Sequence, residues 1–187
     1  MEGLGMSIRP GAIAAALLLG GIGFGAAAQP APPPLEQRLV QIVESFATRY
    51  RDRPNDMAGG ALRPARAREI CEAMKATRGA ARGWTGTVER LDSTSAGNGI
   101  LIVRVSALVT LKTWNVEFVD TQDRTLIPHG SPLFPVAAGL RRGQTISFDG
   151  EFRPHRDDCI REVSMTFAGA MEEPDFLFRF TAIRPVN

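Results

Sequence analysis

The chain is poor in the side chains that carry most proton-transfer and metal chemistry, with two histidines, two cysteines and one tyrosine in 187 residues. Two cysteines cannot build a four-cysteine zinc site, and His129 and His155 leave little material for a metal centre or a proton relay. No metal and no other cofactor is therefore expected. Lysine is equally scarce: Lys75 and Lys112 are the two lysines among 22 basic residues, which face 20 acidic ones. The formal charge of +2 is too small to point by itself to nucleic acid or to a membrane surface. After Phe24 there is no long apolar run, so the remainder is expected to hold no transmembrane segment. Apolar residues are plentiful, at 44% with ten phenylalanines. That supplies one packed domain and excludes wholesale disorder.

Residues 1–28 have the pattern of a signal peptide. Arg9 precedes the apolar stretch Gly11 to Phe24, and Ala26 and Ala28 make a small-residue exit before Gln29. The run is shorter than the roughly 20 apolar residues of a bilayer-crossing helix, which favours cleavage near Ala28 over a retained anchor. The expected location is periplasmic or secreted. In an oxidising compartment Cys71 and Cys159 are expected to form a disulfide, the alternative being two buried thiols.

Gln29 to Pro34 suits an extended linker, and residues 35–82 read as a helical arm. Leu35, Leu39, Ile42, Val43, Phe46 and Tyr50 recur at three- and four-residue spacing and place one apolar stripe on a helix. Pro54-Asn55-Asp56 and Gly59-Gly60 read as a break. Pro64 then opens a second helix from Ala65 to about Thr77, ended by Gly79. From Gly83 to Asn187 the period becomes two. Trp84, Gly86 and Val88 alternate with Thr85, Thr87 and Glu89. Residues 101–111 alternate as one long strand or two through a bend. In residues 145–152, Ile146, Phe148 and Phe152 point inward, with Gly150 on the same face where a bend needs room. Cys159, Val163, Met165 and Phe167 continue the pattern, and Phe176, Phe178 and Phe180 close it. The fold class is mainly β: a small five- or six-stranded barrel preceded by an N-terminal pair of helices.

Two stretches carry a family resemblance. Gly83-Trp84-Thr85-Gly86-Thr87-Val88 resembles a barrel-opening strand. Leu140-Arg141-Arg142-Gly143-Gln144-Thr145-Ile146-Ser147-Phe148-Asp149-Gly150-Glu151-Phe152 resembles the fourth-strand entry of the OB-fold, with Pro132 to Leu140 in the place of the helix between the third and fourth strands. The likeness spans residues 83–187 and is greatest to exported bacterial members of the tRNA-anticodon-binding-like OB group. The extra length after Phe167 departs from the pattern and implies a sixth strand or an extended fifth.

The resemblance implies a ligand face on the outside of the second and third strands. Its outward residues would be Arg104, Ser106, Thr110, Lys112 and Trp114, a cation beside an aromatic being able to stack on a base or a sugar. Charge opposes nucleic acid: residues 83–187 carry 11 basic and 13 acidic side chains, while the more basic arm carries 10 and 6. The arm's Arg63, Arg66, Arg68, Arg78 and Arg82 could meet a membrane surface, although such a run is more often a solvated helix face. His155-Arg156-Asp157-Asp158-Cys159 cannot converge on a metal, because strand neighbours point opposite ways. His129 and Ser131 lack a nucleophile elbow and a third partner. Glu172, Glu173 and Asp175 lack the apolar pocket that would separate their pKa values. The expected function is therefore a non-enzymatic exported binding or assembly module that contacts another envelope protein. The alternative is OB-type binding of single-stranded nucleic acid or an anionic oligosaccharide.

Overall fold

The computed structural model describes Met1 and residues 31–186; apart from Met1, the expected signal segment 1–28 and the start of the linker lie outside them. The first helix, α1 (Pro34–Arg51), has proline at its first position, where an amide donor would go unused. It buries Leu39, Ile42, Val43, Phe46 and Tyr50, the stripe read from the spacing. The second helix, α2 (Asp56–Met74), starts nine residues before the expected Ala65 and runs through Gly59, Gly60 and Pro64. Two observations account for this correction. Asn55 caps the helix, its side-chain oxygen accepting from the Ala58 amide at 3.0 Å. Gly59 lies where α2 meets the end of α1, and a Cβ there would come within 2.6 Å of the Arg53 side chain and 3.0 Å of the Tyr50 ring. Its missing side chain serves helix contact rather than helix termination.

The strands follow in the order β1 (Ala80–Ser93), β2 (Gly99–Arg104), β3 (Thr110–Lys112), β4 (Thr145–Phe152), β5 (Pro154–His155), β6 (Cys159–Ile160) and β7 (Asp175–Pro185). Three short helices interrupt them: α3 (Glu117–Asp120), α4 (Leu133–Ala138) and α5 (Phe167–Glu172). Five strands close a barrel in the order β1-β2-β3-β7-β4. β3 and β7 pair in parallel, while the other pairs are antiparallel. This is an OB-like barrel, with α4 in the stretch expected to hold the helix between the third and fourth strands.

Several sequence expectations shift in detail. β1 begins at Ala80 rather than Gly83, and Gly83 instead sits at an irregularity of the β1–β4 ladder. Residues 101–111 form two strands through a turn, because Val105 and Ser106 bond back to the Val109 carbonyl. The alternation expected from Cys159 to Phe167 fails. Met165 is 98% exposed and Phe167 begins α5. The extra length after Phe167 therefore adds no sixth barrel strand; it makes α5 and the 11-residue β7, an extended fifth strand of the barrel.

Inside the barrel the alternation does hold. Trp84, Phe148, Phe176 and Phe178 are almost completely buried, and Phe148 meets the Phe178 and Phe180 rings edge-on at 5.7 and 5.4 Å. A Cβ on Gly150 would fall 2.3 Å from both the Arg179 carbonyl oxygen and the Phe178 ring, at a register shift between β4 and β7. The bend expected at Gly150 is thus a close approach of neighbouring strands. The apolar face of α1 joins the same core, so residues from Ala31 onward form one compact unit with the helical arm docked.

Cys71 of α2 and Cys159 of β6 form a disulfide, with Cα atoms 5.4 Å apart. No helix among the described residues is long and apolar enough to cross a membrane.

One buried carboxylate joins helix to barrel. Glu36 of α1 accepts from the Thr85 amide at 3.1 Å and the Thr85 hydroxyl at 3.2 Å. Burial pushes its carboxyl above the ordinary range, and the two hydrogen bonds offset only part of that. The folded state therefore holds this proton more tightly than the unfolded chain. Glu36 contributes most below its unfolded pKa, and that contribution is lost as pH rises through the folded value. Glu36→Gln keeps an acceptor for Thr85 and is expected to gain relative stability from about pH 4 to about pH 7. Urea unfolding of both proteins across that range tests this, and a pH-independent difference would contradict it.

Candidate functional site

The outer face of β2 and β3 is more self-satisfied than its sequence suggests. Arg104 pairs with Glu89 of β1 at 2.8 Å, and Lys112 pairs with Asp175 of β7 at 2.9 Å. Thr110 is buried, and Ser106 lies in the turn, where its hydroxyl accepts from the Leu108 amide at 3.3 Å. Trp114 falls beyond the end of β3. Its indole Nε1–H donates to Asp123 at 2.9 Å, and the Asp123 carboxylate also faces Arg161 at 3.4 Å. The five residues expected to form one binding face therefore divide between two strands, a turn and a loop. Both of the face's cations already have carboxylate partners.

A second region was not picked out by periodicity. The connection from Thr113 to Pro132 is held by buried polar groups. Asp120 accepts from the Thr125 amide and hydroxyl, each at 2.7 Å, and from the Leu126 amide at 3.0 Å. The Thr125 hydroxyl in turn accepts from the Trp114 amide at 2.8 Å. Glu117 of α3 accepts from the Thr94 hydroxyl and, at 3.3 Å, from Asn98, which ties the β1–β2 loop to α3. Those bonds, led by the one from Thr94, hold the Glu117 carboxyl below its usual range.

This braced loop, Asn98 and β7 enclose an open cavity of about 650 Å³. Leu126, Ile127, Leu133 and Phe180 supply its apolar wall, with Arg124 and Arg179 at its side. The two short helices contributing to it, and Val116 just before α3, also expose apolar residues: Val116, Phe118 and Val119 at 46, 88 and 40%, and Val136 at 39%. The sequence did carry a signal here, in Val116-Glu117-Phe118-Val119. A four-residue helix is too short to show a period, so that signal had no reading.

The residues weighed for catalysis are not assembled into a reacting set. The His129 amide donates to Asn98 at 3.4 Å, while the buried Ser131 hydroxyl has no hydrogen-bond partner among the described residues, His129 included. His155 Nδ1 accepts from the Asp157 and Asp158 amides at 3.4 and 3.2 Å. Cys159 is held in the disulfide. Among the described residues no group of three or more histidine, cysteine or acidic side chains is placed to hold a metal ion. Glu172 belongs to α5, and Asp175 is engaged by Lys112. Compared with known proteins, the chain matches no family model and no curated protein.

Proposed function

We propose that this chain is an exported, non-enzymatic binding module that engages another envelope protein through the braced loop around α3 and α4. The observation that carries this reading is the exposed group Val116, Phe118, Val119 and Val136 on the helices beside the apolar cavity. Exposed apolar side chains on a loop braced by hydrogen bonds favour a contact surface, because covering them removes apolar area from water without first ordering that loop. The disulfide and the residue pattern of 1–28 support export. Single-stranded nucleic acid or an anionic oligosaccharide receives less support, since Arg104 and Lys112 face Glu89 and Asp175.

The test is a photo-crosslinking residue at position 118 in cells of the native host, with the same residue at the equally exposed Met57 as control. A discrete adduct at 118 and none at 57 is the expected result. Phe118→Asp is expected to weaken recovery of that partner at least about tenfold, equivalent to roughly 1.4 kcal/mol. Identical labelling from both positions would remove the proposal.

A further inference from the structure

A different cavity, of about 640 Å³, lies between the end of α2 and the β4–β6 region. Its helical wall carries Cys71, Lys75 and Arg78, and its sheet wall carries Glu151, Arg153 and Cys159. The disulfide spans the two walls. Cys71 and Lys75 are four residues apart at the helix end and so share a face. Cys159 is the ladder partner of His155, two residues beyond Arg153. The cross-link thus sets Lys75 and Arg78 opposite Arg153, with Glu72, Asp157 and Asp158 lining the adjoining pocket beside Lys75.

The charges in this cavity do not cancel. Glu151 is the one carboxylate that lines it, paired with Arg179 at 2.8 Å and 3.9 Å from Arg153, against three cations. Lys75 has only a 3.8 Å approach to Glu72, with both side chains 77% exposed, a pairing that contributes almost nothing in water. Arg78 has no acidic partner among the described residues. Arg153 is the most enclosed of the set. Its Nε is buried and has no hydrogen-bond acceptor among the described residues; the closest carboxylate oxygen, on Asp123 outside the cavity lining, is 3.9 Å away. A buried guanidinium donor left without an acceptor is costly. A tetrahedral dianion offers several acceptors at once and the opposite charge.

From this arrangement we infer that the disulfide-bridged cavity is an anion site for a phosphate monoester, held by Lys75, Arg78 and Arg153. The site is separate from the loop proposed to contact protein, and the inference does not rest on that reading. Two sources share the chemistry: a soluble phosphate compound and a lipid bearing a terminal phosphate.

Amide-resolved NMR titration of the oxidised protein with inorganic phosphate at low ionic strength tests the site. Saturable shifts confined to residues 75–79 and 151–159 are expected. The double variant Lys75→Gln/Arg78→Gln, on exposed positions, is expected to keep its unfolding temperature while binding at least about tenfold more weakly. Vesicles of phosphatidylcholine, with and without phosphatidic acid, then separate the sources. Phosphatidic-acid-dependent binding that the double variant loses and inorganic phosphate displaces identifies a lipid headgroup. Phosphate binding in solution without vesicle binding identifies a soluble ligand. Absence of saturable shifts, or shifts of equal strength in wild type and double variant, overturns the site.

Discussion

Phe148→Ala is expected to destabilise the folded protein by about 3–5 kcal/mol, a large share of the 5–15 kcal/mol that holds a typical domain. Phe148 is completely buried and packs edge-on against the Phe178 and Phe180 rings, and β1 and β7, the strands beside β4, close the barrel on either side. Truncation loses the transfer free energy of the ring and leaves a hole that the closed ladder cannot collapse to fill. Phe118→Ala is the natural comparison. It removes the same atoms from an 88% exposed position and is expected to change stability by less than about 0.5 kcal/mol. Urea unfolding of both variants reads the contrast. Similar small losses in the two would mean that the interior is not organised around these rings.

The second large effect belongs to the cross-link. Cys71 and Cys159 are 88 residues apart, and closing such a loop in the unfolded chain is worth about 4–5 kcal/mol in the chain-entropy model. Cys159 has φ of +61°, a left-handed conformation that costs a non-glycine residue roughly 1–2 kcal/mol. The expected loss in Cys71→Ser/Cys159→Ser is therefore the loop term, because serine retains the same backbone penalty. Replacing Cys159 by glycine instead, beside Cys71→Ser, is expected to recover about 1 kcal/mol of that loss. Denaturant midpoints of the three proteins decide the matter. Equal midpoints for the serine and glycine variants would refute the backbone contribution, and an unchanged midpoint in both would refute the loop contribution.

How much was legible in the residues depended on whether a face was buried over several turns or pairs. The α1 stripe from Leu39 to Tyr50 and the alternation from Ile146 to Phe152 each repeat a buried position often enough to declare a period. Gly59 and Gly60 misled because glycine is read locally as a breaker, whereas here Gly59 gives way to Arg53 and Tyr50. Met165 and Phe167 misled for the opposite reason. They sit at the right interval for a strand, yet the chain there has no neighbouring strand to complete a ladder, and it turns into α5. The partners of the expected ligand face were not legible, because Glu89, Asp123 and Asp175 come to it from other elements.

By itself the sequence determined the mainly β class, the helical pair before it, the inward residues of the barrel and the pairing of the two cysteines. Each follows from a local period or from having a single possible partner. Only the tertiary structure decided which charges are spent on one another, which loop is braced and left apolar, and which basic residues line a common cavity. Those properties depend on distances between segments far apart in the chain, and such distances are set when the barrel closes and the disulfide holds the arm against it.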